Sequence, residues 1–479
     1  MSSLPNPFRR LIVSIGLVLA HFGLVDRERA IRTADLSWPR IVTGIARMSK
    51  NAVDVAMVGI VAGVPAITGV GIAGPYWGLA FSLGGGVAGG TIALVSQRFG
   101  ADDSGGIDRA VRGSVVLVVA ASLPVTLAFW AFPTELISLI SDDAAAVGFG
   151  ATYLGIVGFG VPFAGLNLVG SRVLVGSDDA YTAMILRASG ALINIGLNAL
   201  FIFGLGWGIA GAAAGTVLSN VIVTCAFAFG LVRGRLPGVG ALPVQIDPVG
   251  SYFHLDTLRD LVSIGLPVMG RNLVWTIAEF PMLAILSTMG SAVVAAFVVT
   301  RRIWGIMNTP GWGFGLASSS LVGQALGTGD EEIAETYGHE VIRFAVATYL
   351  VSAVVVATFA RPIVSAFNPS PEAFPIAVSL VYVACIAVVF QGVSGGAAGP
   401  LDASGDTRWA FASQFVGMLC SILFAFLGAS VSAVGLVGLY FAFLAETSIP
   451  AALNYYRFRT GAWKVVSRNY RPGATAADD

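Results

Sequence analysis

The sequence predicts an all-α integral membrane protein, with twelve transmembrane helices in two parallel six-helix repeats around a central cavity. Three observations carry this prediction. The 479 residues are 56% hydrophobic and only 11% charged, with mean hydropathy +0.82, whereas a soluble domain carries about 25% charged residues to face water. Apolar runs of about 20 residues, the length of a helix that crosses roughly 30 Å of hydrocarbon, recur along the chain. The second half of the chain also repeats the first.

Taken in order, the apolar runs are 37–62, 66–97, 109–134, 146–172, 181–205, 208–232, 257–288, 292–326, 340–364, 375–400, 408–430 and 434–457. A further run, Leu11–Val25 (LIVSIGLVLAHFGLV), is too short to span and is followed by no A-x-A-like cleavage site. Arg9 and Arg10 precede it, and Arg27, Arg29 and Arg32 follow it. Positive charge at both ends predicts a helix lying along the cytoplasmic interface.

Loop charges set the orientation. Arg98, Arg109 and Arg112 follow the second run, Arg233 and Arg235 the sixth, and Arg457, Arg459, Lys464, Arg468 and Arg471 the twelfth; Arg408 precedes the eleventh. The opposite loops carry almost no Lys or Arg, with Arg361 the exception. Excess positive charge marks the cytoplasmic side, so both termini are expected in the cytoplasm and the chain in the plasma membrane.

A shift of 227 residues, the distance from Trp77 to Trp304, lays YWGLAFSLGGGVAGGTIALVSQRFGADD onto IWGIMNTPGWGFGLASSSLVGQALGTGD without a gap. The pairs include Gly84/Gly311, Gly86/Gly313, Gln97/Gln324, Gly100/Gly327 and Asp103/Asp330, and the same shift pairs Gly208 and Gly211 with Gly435 and Gly438. One offset holding in both regions indicates duplication rather than shared lipid bias. Six spans per half is even, so the halves enter the membrane from the same side. The expected organisation is a cytoplasmic amino-terminal segment with the interfacial helix (1–36), an amino-terminal half (37–233), a cytoplasmic linker (234–256), a carboxy-terminal half (257–458) and a cytoplasmic tail (459–479).

Several chemistries are excluded or unsupported. A formal net charge of zero argues against nucleic acid. Cys225, Cys385 and Cys420, and His21, His254 and His339, are too scattered for a metal centre or a disulfide framework. The G-x-G-x-x-G match at Gly206–Gly211 lies between two membrane spans, where a tight turn with close helix packing explains it better than a dinucleotide. The glycines at 84–86, 89 and 90 read as helix-packing contacts. No Walker A sequence is present, and neither an enzyme activity nor a cofactor is expected.

The exception to the apolar pattern is RMSKNAVDVAMVG, residues 47–59. A carboxylate at bilayer depth costs roughly 2.5–3.5 kcal/mol on insertion scales, so it needs a partner or a task. At 100° per residue, Arg47, Lys50 and Asp54 fall within about 60° of one another over about 10 Å of helix. The stripe is either an internal Lys50–Asp54 pair or one wall of a water-filled cavity. Other charges at membrane depth are Arg187, Arg271, Glu279, Arg301, Arg302 and Glu446. Positive charge therefore exceeds negative by six to three, a margin that narrows to four against three if Arg301 and Arg302 snorkel to an interface.

WPRIVTGIARMSKNAVDVAMVG resembles the first helix of the multidrug and toxic compound extrusion (MATE) transporters, and SQRFGADD with its echo GQALGTGD resembles that family's ends of helices two and eight. VGSDDAYTAMILRASGALINIGLNALFIFGLGWGIAGAAAGT is similar to its helices four to six. The resemblance covers nearly the whole chain after residue 36. It implies export of small amphiphilic compounds driven by H⁺ or Na⁺, by rocking of the two halves; the alternative within the superfamily is a flippase for lipids or polysaccharide precursors.

In the family's archaeal-type branch, the nearest by resemblance, the cation site maps onto Asp54, Asn194 and Thr216, with Asn167 a fourth member and Na⁺ at Asp54 an alternative to H⁺. Where that branch has a second aspartate this chain has Asn198, on the same helical face as Asn194. Gln391 stands where a carboxy-half acid of the NorM-type branch would be, and Glu279 lies near the repeat equivalent of Asp54 with a two-residue slip. Arg47, Lys50, Arg271, Glu279 and Gln391 are the candidate substrate-cavity residues. The partners expected are the lipid bilayer and amphiphilic substrates, anionic or zwitterionic ones included, handled by a monomer.

The arginine asymmetry makes a topological prediction. A reporter fused after Arg32 and another after Arg98 should both read as cytoplasmic, and an external reading after Arg32 would refute the interfacial placement of Leu11–Val25.

Overall fold

The computed structural model describes residues 6–471, so the outermost ends of the 1–36 and 459–479 segments lie outside the described residues. Among the described residues the chain is built of helices, with one two-stranded hairpin, Arg235–Leu236 with Gly240–Ala241, opening the non-helical Pro/Gly-rich linker. Among the described residues, ten helices are long and apolar enough to cross a membrane. Two details make this consistent with twelve crossings. Helix α2, Arg27–Gly100, is broken at Gly63, whose φ of 70° and ψ of −163° are non-helical, so it comprises the first two apolar runs. The run 292–326 is two helices, α10 (Ser291–Met307) and α11 (Thr309–Gly327), not one. Pro310 in the first turn of α11 cannot donate to the preceding turn, and the chain breaks there.

The remaining helices follow the predicted runs. They are α3 (Ser104–Ala131), short α4 (Pro133–Ser138), α5 (Ala144–Val157) joined by a 3-10 turn to α6 (Val161–Gly176), α7 (Ala180–Ala199), α8 (Gly208–Arg233) and α9 (Leu255–Thr288). Beyond α11 come α12 (Glu331–Thr358), short α13 (Ala360–Ser365), α14 (Ala373–Ser404), α15 (Thr407–Ser430), α16 (Gly435–Arg459) and α17 (Ala462–Arg468).

The helix ends show the duplication as local physics. Asp103 and Asp330, equivalent under the 227-residue shift, each cap the next helix, accepting from Gly106 N at 2.8 Å and from Ile333 N at 2.9 Å. The residues just before them, Asp102 and Gly329, both have left-handed backbone, as do the equivalent pairs Asp178/Gly405 and Gly208/Gly435. Gly206 and Gly208 turn the chain with φ of 71° and 55°. Gly211 then lies against the backbone of Phe201, as Gly438 lies against Gly428 one repeat later. The G-x-G-x-x-G sequence is a helix crossing.

The chain divides into two compact units, residues 42–269 and residues 1–41 with 270–479. In the amino-terminal unit, α3, α5, α6, α7 and α8 pack on one another. The glycine-rich end of α2 approaches α6 at Gly84, facing Gly165, and the start of α9 at Gly86, Gly89 and Gly90, facing Met269, Val268 and Leu261. Small residues let backbones approach this closely.

In the carboxy-terminal unit α14 is central, packed by α10, α11, α12 and α16, while α15 pairs with α16. The amino-terminal segment belongs to this unit because ion pairs strap it there. Arg29 makes a bidentate pair with Glu340 at 2.8 and 2.8 Å, and Arg32 donates to Gln324 and Tyr337. The run Leu11–Val25 is mostly helix α1 (Pro7–His21), followed by a turn. At 1.5 Å per residue it is about 22 Å long, short of the hydrocarbon thickness. Arg9 ties α1 to Asp35 at 2.7 and 3.0 Å, Gly16 rests on Phe344, and Leu11, Val18 and Phe22 are exposed on its outer side.

A Cβ at Gly86 would stand 2.8 Å from the Gly265 carbonyl, whereas one at Gly78 meets nothing within 4 Å. Gly86→Val should therefore destabilise the amino-terminal unit by about 1–3 kcal/mol, read as a lowered melting temperature in detergent, while Gly78→Ala should not. Equal melting of both variants would refute the crossing.

Candidate functional site

Asp54 sits on the first arm of α2, and its carboxylate gathers donors from two helices. Lys50, one turn earlier, places Nζ 2.7 Å from Oδ2. Asn198 on α7 donates from Nδ2 to Oδ1 at 2.8 Å. With its amide nitrogen toward Asp54, Asn194 donates to Oδ1 and Oδ2 at 3.1 and 3.3 Å, and its oxygen accepts from the hydroxyls of Thr216 at 3.2 Å and Ser219 at 3.3 Å on α8. The reverse orientation would set an amide oxygen against a carboxylate, two acceptors with no proton between them. Tyr153 on α5 is close enough to feel the charge of Asp54.

Sequence geometry explains the cluster. Asn194 and Asn198 are four residues apart, hence on one face of α7, and Thr216 and Ser219 are three apart on α8. Both asparagines are fully buried. Gly215 makes room, since a Cβ there would collide with Asn198 Oδ1. That same Oδ1 is buried and has no hydrogen-bond partner, an unusual cost for an amide oxygen. A carboxylate, amide oxygens and a hydroxyl are the donor set of a proton or a hard cation such as Na⁺. The structure thus brings together Asp54, Asn194, Asn198, Thr216 and Lys50.

Asn167 lies one step away. It donates to Asn220 Oδ1 at 3.0 Å and accepts from the Thr224 hydroxyl at 2.9 Å, and Asn220 reaches the cluster through the Thr216 carbonyl at 2.9 Å. Arg47 leans over the ring of Phe81, 5.7 Å from its centroid. Ser219 was not among the sequence candidates, although its spacing from Thr216 puts it on the same face.

The carboxy-terminal unit uses its charges differently. Arg301 pairs with Glu446 through two hydrogen bonds of 2.6 Å, with its guanidinium 5.0 Å from each of the rings of Phe297 and Phe443. Glu446 is 1% exposed. Arg301 therefore does not snorkel; it is neutralised in place between two aromatic rings. Arg302 is exposed, as is Glu279, whose charge acts on Arg301. Arg271 is held bidentately by Asp402 at 3.0 and 2.7 Å, an acid that reading charges along single spans left out of the balance. Gln391 is half-buried on α14.

The MatE family model matches residues 39–200 and again 267–427, once in each repeat. The chain is 25% identical over 449 residues to the probable multidrug resistance protein NorM of Photorhabdus laumondii, covering 90% of this chain and 96% of that one. It is 24% identical to the multidrug resistance protein MdtK of Pectobacterium atrosepticum, with 90% and 95% covered. Its match to the probable multidrug resistance protein YpnP of Bacillus subtilis, 25% identical, spans 62% of this chain and 65% of YpnP.

Among solved structures, a MATE protein in the bent conformation superposes with a TM-score of 0.84 at 22% identity, covering 97% and 99% of the two chains. A MOP superfamily transporter of Pyrococcus furiosus, titled for the reverse polarity of its binding pocket, gives 0.82 at 22% identity, with 97% and 99% covered. These structures establish the fold. With the family model matched across both repeats, the chain belongs to the MatE family and is a multi-pass membrane transporter.

Proposed function

We propose that this transporter is a cation-coupled antiporter that exports small amphiphilic organic compounds, driven by H⁺ or Na⁺ and by rocking of its two six-helix halves. The names of its relatives support efflux of many drugs. One observation carries the coupling: a carboxylate at membrane depth, Asp54, set among buried amides, one of which holds an unused oxygen.

The proposed cycle follows from charge. With no cation loaded, Asp54 is ionised and neutralised by Lys50 and the amide donors. Facing outward, it takes a proton or Na⁺ from the side of higher concentration. Loading cancels its charge, and Asn198 Oδ1 gains a partner. A loaded carboxylate holds Lys50 less firmly, so the contacts tying α2 to α7 change between loaded and unloaded states. A cation shifts a conformational equilibrium only by its difference in affinity for the two conformations, and these contacts supply the difference. Facing the cytoplasm, Asp54 unloads and the next substrate binds. The setting is the plasma membrane, with both termini cytoplasmic.

Asn at position 54 keeps the shape and one amide's worth of hydrogen bonding but cannot titrate. In proteoliposomes, Asp54→Asn protein should insert and melt like the parent yet lose about 90% or more of dye export driven by an imposed H⁺ or Na⁺ gradient. Gradient-driven export at the parent's rate would make Asp54 merely the partner of Lys50 and place coupling elsewhere.

A further inference from the structure

The Asp54 carboxylate is surrounded by nitrogen. Lys50 Nζ stands 2.7 Å from Oδ2, Asn198 Nδ2 stands 2.8 Å from Oδ1, and the Asn194 amide nitrogen spans both oxygens. The amide oxygens face elsewhere. That of Asn194 accepts from Thr216 and Ser219, and that of Asn198 lies against Gly215 on α8.

Charge alone does not tell a proton from Na⁺ here, because each adds one positive charge beside an ammonium. Coordination does. A proton needs one lone pair on one carboxylate oxygen, whereas a hard cation needs a shell of oxygens. The two amides can supply oxygens by turning over, since an amide has an acceptor at one end and donors at the other. Lys50 cannot, because an ammonium has three donors and no acceptor. Its place one turn before Asp54 on α2 holds it against the carboxylate. The fold does not require this pair: under the 227-residue shift Lys50 and Asp54 fall on Ile277 and Pro281, both uncharged.

We propose that Lys50 sets the ion selectivity of the amino-terminal site: its ammonium keeps Na⁺ off Asp54 and leaves H⁺ as the coupling ion. This role rests on the reading of Asp54 as the coupling residue and adds the choice of ion. On loading, a proton from the outer water bonds to an Asp54 oxygen, the hydrogen bond from Lys50 is given up, and Lys50 keeps its own three protons. Release of that proton to the cytoplasm restores the pair. The other ionisable groups in range are Tyr153 on α5, which feels the Asp54 charge, and Arg47, two turns before Asp54 on α2. Helices α7 and α8 present neutral amides and hydroxyls.

Melting of the full-length protein in detergent, in NaCl against choline chloride at equal ionic strength, tests this without a gradient. A ligand that binds the folded state raises its melting temperature, so Lys50→Gln should melt at least about 3 °C higher in NaCl. The parent and Lys50→Arg, which keep a cation at position 50, should melt within about 1 °C in the two salts. Adding Asp54→Asn to Lys50→Gln should abolish the Na⁺ response. A lysine that merely compensated Asp54 would instead lower the melting temperature of Lys50→Gln equally in both salts. In proteoliposomes an H⁺ gradient should drive export by the parent, and a Na⁺ gradient at equal pH should not.

A Na⁺ response of the parent that Asp54→Asn removes, in melting or in export, overturns the selectivity role. So does a Lys50→Gln protein that shows no Na⁺ response, or that fails to insert and melt cooperatively. Dye export by Asp54→Asn at the parent's rate would refute the coupling reading alone, because the melting comparison still decides which ion the Lys50–Asp54 pair admits.

Discussion

An ionised group placed where water is scarce must be compensated within a few ångströms, and in this protein that requirement falls on Asp54. A full charge at bilayer depth costs several kcal/mol, more than most single contacts supply. The chain meets the cost with a salt bridge from its own helix and two amide donors from α7. Around that choice other features fall into place. Two asparagines must share a face, α8 must bring hydroxyls behind them, and position 215 must lack a side chain.

The repeat supplies its own control experiment. Under the 227-residue shift Thr216 and Ser219 fall on Phe443 and Glu446, while Val70 and Gly74 fall on Phe297 and Arg301. The same helix faces that hold hydroxyls near Asp54 thus hold an aromatic-lined ion pair in the other unit. Glu446 has a guanidinium, always protonated, in bidentate contact and stacked between two rings. Removing one member of such a pair strands a buried charge, at about 3–5 kcal/mol. Asp54 has an ammonium and two amides instead. One scaffold therefore neutralises a buried carboxylate with a guanidinium in one half and with an ammonium and amides in the other.

The sequence disclosed the scaffold far better than the chemistry. Apolar runs and the 227-residue offset located the helices, because lipid demands continuous apolar length and duplication copies caps and crossings such as Asp103/Asp330 and Gly211/Gly438. The break at Asn308 escaped because the run 292–326 is apolar throughout, and Pro310 alone does not say whether a helix bends or ends. Asp54, Asn194, Asn198 and Thr216 were found through spacing and resemblance together. Asp402 was missed because charge pairing between helices depends on tertiary approach, which span-by-span counting ignores. The strapping of residues 7–36 to the carboxy-terminal unit was hidden for the same reason, since Arg29 and Glu340 are 311 residues apart.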